Sequence, residues 1–183
     1  MKTSQNKFHY FKLKDLIDLE RGKRTDYIEN GKYPVFGAGE KAMGYCNEYN
    51  NEGNITITRK GTIGNIYKRE FKHFVTDASN IIVVKNKKII EVYLYEWLLS
   101  KEYLIKQLSK PMLIPELDEK AFMNLEINVP NLEDQKKVVD ILNRYRFFLE
   151  ENNKHTLQLI NSLENYRSGV RNMFFEILGE KNE

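Results

Sequence analysis

Residues 138–177 have the sequence VVDILNRYRFFLEENNKHTLQLINSLENYRSGVRNMFFEI, in which coiled-coil core positions recur in alternating steps of four and three. The repeat consists of Val138, Leu142, Tyr145, Leu149, Asn152, Thr156, Leu159, Leu163, Tyr166, Val170, Met173 and Ile177. A mean spacing of 3.5 residues, kept over several heptads, is the sequence pattern of a coiled coil. The stretch 133–178 therefore predicts one continuous helix, roughly 65–70 Å long at about 1.5 Å per residue.

A long helix with an apolar seam needs a partner helix. Two identical chains related by a two-fold axis supply one in the simplest way, so we expect a homodimer. The predicted dimerisation residues are Val138, Leu142, Tyr145, Leu149, Leu159, Leu163, Tyr166, Val170 and Met173. The polar seam residues Asn152 and Thr156 either set the register of this pairing or face water.

The chain before the helix is rich in predicted β-structure. Its strand candidates, separated by glycine- and asparagine-rich turns, are Tyr33–Phe36, Gly44–Cys46, Ile55–Thr58 and Ile81–Val84. The alternating β-branched residues of Ile55–Thr58 predict a strand with one buried face. The first 25 residues predict a short entry segment that ends in a basic turn.

From Glu91 the apolar period becomes helical around Trp97, which predicts one or two helices. Alternating apolar residues at 125, 127 and 129 predict a last strand, and Asn131 is the candidate N-cap of the long helix. The predicted fold is α+β, with a β-rich domain at 1–130 followed by a long coiled-coil helix at 131–183.

The composition fits one globular domain with a helical appendage. The chain has 183 residues, of which 41% are hydrophobic and 12% aromatic. No apolar run approaches the roughly 18–20 residues that a membrane span needs. The first residues form no apolar leader, and the single cysteine, Cys46, excludes an internal disulfide. We therefore expect a protein of the reducing cytoplasm with no membrane association.

The net charge of +3 is unevenly distributed along the chain. Residues 54–88 contain Glu70 and Asp77 as their only acidic side chains. The basic residues of the same stretch are Arg59, Lys60, Lys68, Arg69, Lys72, Lys85, Lys87 and Lys88. Clustered cations attract a phosphate backbone, because each neutralised phosphate releases condensed counterions. The stretch predicts either a nucleic-acid contact or a solvated face.

The sequence offers no convincing catalytic motif. Its three histidines, His9, His73 and His155, are too scattered for a zinc site, and one cysteine excludes cysteine-pair ligand motifs. Gly37-Ala38-Gly39 matches only the start of a dinucleotide-binding fingerprint and predicts a tight turn. We therefore expect a protein without catalytic residues, metal or cofactor of its own.

The order of several short stretches resembles one half of the specificity subunit of type I restriction-modification systems. The matching stretches are 33–39 (YPVFGAG), 44–45 (GY), 58–64 (TRKGTIG), 76–80 (TDASN), 113–117 (LIPEL), 125–132 (LEINVPNL) and the helix opening at 133–135 (EDQ). The family more often places Glu directly before Gln, so Asp134 is a mild departure. Typical subunits hold two recognition domains and two spacer helices, whereas this chain has one of each.

The resemblance implies a non-catalytic protein that selects a DNA sequence for partner subunits. In that family the recognition domains enter the major groove, and the paired spacer helices set the distance between two half-sites. The helices also dock the methyltransferase subunits, which use S-adenosylmethionine, and the restriction subunits bind the assembled complex. This chain would then act as a half-subunit on a bipartite DNA target.

The predicted DNA contacts combine the resemblance with the charge pattern. Arginine reads guanine through two hydrogen bonds, whereas lysine mostly binds phosphate, and the glycines at 61 and 64 allow a close approach of the backbone. The first group of contacts is Arg59, Lys60, Thr62, Lys68, Arg69 and Lys72, and the second is Lys23, Arg24, Lys41 and Tyr45.

Two other functions stay open at this point. One is a pure interaction or assembly protein, whose coiled coil and β-rich domain bind protein instead of DNA. The other is a stand-alone nuclease that uses Asp118 and Lys120 together with Glu116, although such triplets are common by chance.

Overall fold

The computed structural model describes residues 9–110, 113–152 and 165–173. Its elements are β1 (His9–Lys12), α1 (Leu13–Leu16), β2 (Ile17–Arg21), β3 (Tyr33–Phe36), β4 (Gly44–Cys46), β5 (Ile55–Thr58), β6 (Ile66–Lys68), β7 (Phe74–Val75), β8 (Ser79–Val84), α2 (Glu91–Ser100), α3 (Glu102–Gln107), β9 (Ser109–Lys110), β10 (Glu116–Leu117), α4 (Glu119–Met123), β11 (Glu126–Val129) and α5 (Leu132–Asn152). Residues 165–173 are helical. The predicted α+β fold with a long helix near the C-terminus is confirmed.

The chain packs into two compact units, each built from separate segments. The strand unit contains residues 12–86 and 101–125, and the helical unit contains the described residues of 1–11, 87–100 and 126–183. Residues 87–100 and 126–130 therefore pack in the same unit as the long helix. The functional division into a recognition domain (1–130) and a spacer helix (131–183) stays a prediction.

The strand unit is built on two sheets. The first has the strand order β2-β8-β5-β6 and is antiparallel throughout. The second has the order β4-β3-β7, with β3 antiparallel to β4 and parallel to β7. The strands predicted at β3, β4 and β5 and within β8 are confirmed. Strand β2 was not predicted, because its charged sequence is stabilised by pairing with β8, some sixty residues further along the chain.

Strand β5 differs from its prediction, because both of its faces are buried. The hydroxyl groups of its two threonines are satisfied within the unit. Thr56 Oγ1 donates to Tyr67 O at 3.3 Å, and Thr58 Oγ1 accepts from Asn65 N at 2.9 Å while donating to Thr62 O. A central position in the sheet explains why threonine is tolerated on a covered face: each hydroxyl has a hydrogen-bond partner.

A buried histidine directly precedes strand β7 of the second sheet. His73 is fully buried, and its Nδ1 lies 2.7 Å from Phe71 O and its Nε2 3.3 Å from Asn51 Nδ2. This arrangement fits the neutral ring, with Nδ1–H donating to the carbonyl and Nε2 accepting from the amide. Burial away from water lowers the pKa of His73.

The first prediction concerns the pH dependence of stability. A histidine whose pKa is lowered by folding binds protons more tightly when unfolded. The contribution of His73 should therefore be complete above about pH 6.5 and be lost as the pH falls below that value. Denaturant unfolding of the wild-type protein should show a lower free energy of unfolding at pH 5.5 than at pH 7.5. This difference should be smaller in His73→Gln. The control is His9→Gln, which replaces an exposed histidine and should show the same drop in the free energy of unfolding as the wild-type protein. If His73→Gln also showed the full drop, His73 would not be its cause.

The helical unit begins its long helix as the sequence predicts. Asn131 Oδ1 accepts from Asp134 N at 2.9 Å, which confirms Asn131 as the N-cap of α5. Gln135, fully buried in the first turn, accepts from Ile90 N at 2.8 Å and donates to Lys88 O at 2.7 Å and Pro130 O at 2.8 Å. This one side chain therefore ties the start of α5 to the segment that precedes α2.

A single buried carboxylate in the helical unit is surrounded by three arginines. Glu96 on α2 is 1% exposed, and its Oε2 lies 3.0 Å from Arg171 Nε. Its Oε1 accepts a hydrogen bond from Arg146 on α5 and lies 3.9 Å from Arg167 Nη2. The cluster thus joins α2, α5 and the helical stretch 165–173 through charge-assisted hydrogen bonds.

The predicted continuous rod from 133 to 178 is wrong. In a straight helix Tyr145 and Tyr166 would be separated by about 31 Å along the axis at about 1.5 Å per residue. Their ring centroids lie 6.1 Å apart, so the helical stretch 165–173 lies beside α5. The seam spacing indicates that α5 packs against a partner helix. In this structure the helical stretch 165–173 of the same chain is that partner.

None of the helices within the described ranges combines the length and the apolar character that crossing a bilayer would require.

Candidate nucleic-acid interface

Three separate segments of the strand unit meet around one open groove. The segment after β2 is held by hydrogen bonds from Lys23 N to Val75 O (3.1 Å) and from Ile28 N to Tyr45 O (2.8 Å). The turn before β8 is joined to the loop after β3 by the bond from Ser79 Oγ to Gly37 O at 3.0 Å. These bonds bring residues 24–27, 37–43 and 76–78 to the same place.

The groove that these segments form has a volume of about 730 Å³ and is open to solvent. Its lining includes both charged and apolar side chains, which are Arg24, Thr25, Asp26, Tyr27, Ala38, Met43, Thr76 and Asp77, together with Gly37 and Ala78. We call this feature the recognition groove. Parts of two of the stretches that carry the family resemblance, 33–39 and 76–80, lie in its wall.

Part of the second group of predicted DNA contacts lies on the segments that form this groove. Lys23, Arg24, Lys41 and Tyr45 all have exposed side chains. Arg24 is one of the groove-lining residues, and its Nε donates to Asp77 Oδ2 at 3.4 Å. Lys23 precedes Arg24 in the chain, and Lys41 lies on the loop that carries Met43. The group therefore offers positive charge on two of the three segments that form the groove.

Arg59, the first residue of the other predicted group, is buried. It is 4% exposed and forms ion pairs with Glu116 and, at 3.4 Å, with Glu119. Its Nη1 donates to Asp77 O at 3.0 Å. The guanidinium therefore joins β10 and α4 to the turn that supplies Asp77, and a contact with DNA stays a prediction.

The glycine-containing loop that follows Arg59 is open to solvent at its tip. Gly61 has a φ of 76°, in the left-handed region that favours glycine, and no atom would lie within 4 Å of an added Cβ. Thr62 beside it is exposed, whereas Lys60 is half-buried. The loop tip is thus exposed, and its contact with DNA stays a prediction.

The remaining predicted cations lie next to protein partners. Arg69 lies over the rings of Phe36 and Tyr67, with its Cζ 3.9 and 4.4 Å from their centroids, and its Nη2 donates to Gly39 O and Glu40 O at 3.3 Å. Arg69 therefore supports the loop that follows β3, and its contact with DNA stays a prediction.

Two lysines of the same stretch also have acidic neighbours. Lys68 Nζ lies 2.5 Å from Glu70 Oε1, and Lys72 Nζ lies 3.9 Å from Glu52 Oε2. The hydroxyl of Tyr49 and the charge of Glu52 raise the pKa of Lys72, so this exposed lysine stays charged at neutral pH. The sequence count of cations overstated the free positive charge of this stretch, because Arg59 and Lys72 pair with carboxylates from other parts of the chain.

The residues of the nuclease-like triplet have other roles in the structure. Asp118 caps α4 by accepting from Lys120 N at 3.0 Å and Ala121 N at 3.1 Å, and Glu116 pairs with Arg59. Within the described parts of the chain, no three or more histidine, cysteine, aspartate or glutamate side chains are grouped so that they could hold a metal ion.

The predicted dimerisation residues fall into four groups. Val138 and Leu142 are buried within the single chain, and Tyr145, Leu149 and Val170 are half-buried. Tyr166 and Met173 are exposed, and Leu159 and Leu163 lie outside the described residues. Sequence reasoning missed the exposed apolar side chains of α5 that lie off the predicted seam, which among the described side chains are Leu132, Ile141, Phe147 and Phe148.

Among the groove-lining residues that sequence reasoning did not select as DNA contacts are Tyr27, Met43 and Asp77. Tyr27 and Met43 are 54% and 60% exposed, and Asp77 is the carboxylate beside Arg24. An exposed aromatic and an exposed methionine next to turn residues are weak signals. Asp77 carried the better one, since it is one of only two acidic residues in a basic stretch.

Comparison with known proteins assigns the chain to a family. Residues 5–163 match the sequence profile of the type I restriction modification DNA specificity domain. The chain is 30% identical over 149 residues to the specificity subunit of the type I restriction enzyme MpnII of Mycoplasma pneumoniae, covering 74% of this chain and 43% of that protein. It is 39% identical over 61 residues to the MjaVIII specificity subunit of Methanocaldococcus jannaschii, covering 33% and 14%. The first three M. pneumoniae relatives in this comparison, described as type I specificity subunits, are covered over 39%, 59% and 57% of their length.

Solved structures share the fold. The type I restriction-modification S subunit of Mycoplasma genitalium superposes with a TM-score of 0.72 at 20% identity, over 82% of this chain and 42% of that one. The HsdS subunit of Thermoanaerobacter tengcongensis gives 0.63 at 14% identity, over 96% and 46%. The profile match covers most of the sequence and the fold agrees with it, so the chain belongs to the type I restriction-modification DNA specificity family.

Proposed function

We propose that this chain is a non-catalytic DNA-recognition subunit that acts in the cytoplasm and directs methyltransferase and restriction subunits to a DNA target. The observation that carries the proposal is the recognition groove, because parts of two family stretches line it and Lys23, Arg24 and Lys41 are exposed on its segments. S-adenosylmethionine and the chemistry of methyl transfer would belong to the partner subunits.

We further propose that two copies act together on a bipartite target, with one recognition unit on each half-site. Exposed apolar side chains on the helices support a pairing surface, since Ile141 and Phe147 on α5 and Tyr166 and Met173 on the stretch 165–173 are all exposed. Val138 and Leu142 are buried by contacts within one chain. They could pair two chains only if these contacts were replaced by the same contacts with the second copy. A solution mass near 43 kDa, twice the 21.7 kDa of one chain, would support the dimer, and one near 22 kDa would contradict it.

Methylation is the functional readout of the bipartite target. A host that expresses the chain with a type I methyltransferase should gain methylation at interrupted sites with inverted symmetry, because identical units read the same half-site on opposite strands. Methylation at non-symmetric sites alone would contradict the homodimer. The absence of new methylation would contradict the assignment of a DNA-specificity role to this chain.

The second prediction separates DNA recognition from the rival function of a protein-binding module. DNA affinity should fall linearly with salt on logarithmic axes, with a slope of about −0.9 for each phosphate contacted. The double variant Lys23→Ala/Lys41→Ala removes two phosphate contacts and should therefore make the slope less steep by about 2. Filter binding between 50 and 300 mM salt measures this change. The matched control is Lys136→Ala/Lys137→Ala, which removes two exposed lysines of α5 and should keep the wild-type slope. Binding that does not depend on salt would favour the protein-binding function.

A further inference from the structure

A pair of oppositely charged side chains in the recognition groove has the geometry of a base-reading device. The side chain of Arg24 is 89% exposed, and its Nε lies 3.4 Å from Asp77 Oδ2. The nitrogen in this contact is Nε, the one nearest the backbone, and not one of the two terminal nitrogens of the guanidinium. Those terminal nitrogens are the donors that bind O6 and N7 of guanine in the major groove.

The pair is poorly explained as a device for stability. An exposed ion pair contributes only about 0.2–1 kcal/mol to folding, because solvent screens it and both side chains lose freedom. Its effect on a ligand is larger, since an arginine held in one orientation loses less conformational entropy when it binds. The geometry therefore favours a role in recognition over a role in folding.

Asp77 is itself fixed from the interior of the strand unit. Its backbone oxygen accepts from Arg59 Nη1 at 3.0 Å, and Arg59 is held in turn by Glu116 and Glu119. Asp77 is therefore anchored through its main chain while its carboxylate lies in the groove wall. A carboxylate repels phosphate, so its presence in this wall fits the edge of a base better than the sugar-phosphate backbone.

Other side chains in the groove are also of the kinds that contact base edges. Met43 and Tyr27 are exposed, and the Tyr27 hydroxyl lies 3.9 Å from Met43 Sδ. Ala38 adds a small apolar group to the same wall. Apolar side chains of this kind contact the methyl group of thymine, whereas Lys23 and Lys41 carry the point charges that phosphates bind.

We propose that the recognition groove reads base edges and that Arg24, positioned by Asp77, binds one guanine of each half-site. The proposal rests on the proposed function and adds to it the residue that determines specificity at one base pair. Arg24 is the reading residue, and Asp77 is a positioning residue that orients it.

The test uses the full-length chain and a pool of duplex DNA with a randomised central region, from which the bound fraction is sequenced. The wild-type protein should enrich a motif with a guanine at one position of the half-site. Arg24→Gln and Arg24→Lys should both reduce the preference for that guanine by about 5- to 150-fold and keep the other positions. Arg24→Lys should also keep the salt slope, because it retains the charge. Asp77→Asn should reduce the preference at the same position by less.

The matched control is Arg144→Gln, which alters another exposed arginine–aspartate pair, with Arg144 Nη2 2.7 Å from Asp140 Oδ2 on α5. It should leave the motif unchanged, and thermal unfolding should show that all variants fold. An unchanged motif in Arg24→Gln, or an affinity loss that is uniform across all sequences, would overturn the proposal while leaving the DNA-binding function intact. A wild-type protein that enriches no sequence would overturn the proposed function itself.

Discussion

Replacing Glu96 by alanine should lower the free energy of unfolding by about 3–5 kcal/mol, the cost of removing one partner from a buried ion pair. Glu96 is the common partner of Arg146, Arg167 and Arg171. Burial lowers the pKa of Arg171, and the charge of Glu96 opposes this effect. Without Glu96 the three arginines would repel one another, and Arg171, which is 7% exposed, would be left charged with little access to water. Urea unfolding of the wild-type and Glu96→Ala proteins measures the loss.

The controls separate the buried cluster from ordinary surface charge. Asp140→Ala removes an exposed carboxylate that also pairs with an arginine of α5, and it should change stability by less than about 0.5 kcal/mol. Adding Arg171→Met to Glu96→Ala should recover part of the loss, because it removes one buried, unpaired charge and keeps most of the volume. A Glu96→Ala protein as stable as Asp140→Ala would show that the cluster does not hold the helical unit together.

Local sequence patterns were sufficient to predict the elements that depend on neighbouring residues. The alternation of Ile55–Thr58 predicted β5, and the periodicity around Trp97 predicted α2. Asn131 was identified as a helix cap because capping needs only the first turn of the helix that follows. These features depend on residues a few positions apart, so a single sequence contains the information that specifies them.

Features that depend on distant residues could not be predicted in this way. The heptad repeat indicates that α5 has an apolar face for a partner helix, but spacing does not distinguish another chain from a later part of the same chain. Residue 59 illustrates the same limit for charge. In the sequence Arg59 is one cation of a basic stretch, whereas in the fold Glu116, nearly sixty residues later, pairs with it. At Lys23, Arg24, Lys41 and Tyr45 the structure shows exposed side chains, as a DNA contact requires, and the contact itself stays a prediction.

Replacing Arg59 by methionine should lower the free energy of unfolding by about 2–3 kcal/mol. Methionine keeps much of the buried volume, but it leaves the carboxylates of Glu116 and Glu119 without their cation and Asp77 O without its donor. Both carboxylates are partly exposed, so water holds the loss at or below the lower end of the range of about 3–5 kcal/mol for buried pairs. Arg59→Lys should lower the free energy of unfolding by a smaller amount, because lysine keeps the positive charge. Some loss should remain, because lysine lacks the planar set of donors of arginine. Thermal unfolding of the three proteins measures these differences.

The same variants decide how Arg59 acts on DNA. If it acts through Asp77, then Arg59→Met at a temperature where it remains folded should keep the wild-type salt slope and lose base preference only at the position read by Arg24. If the salt slope of Arg59→Met were instead less steep by about 0.9, the predicted direct contact of Arg59 with a phosphate would be supported. Lys85→Ala is the control, because Lys85 also belongs to the basic stretch and pairs with a carboxylate, Asp18, at 2.7 Å, but on the exposed surface. It should change neither stability nor base preference, because an exposed pair of this kind positions no residue of the groove.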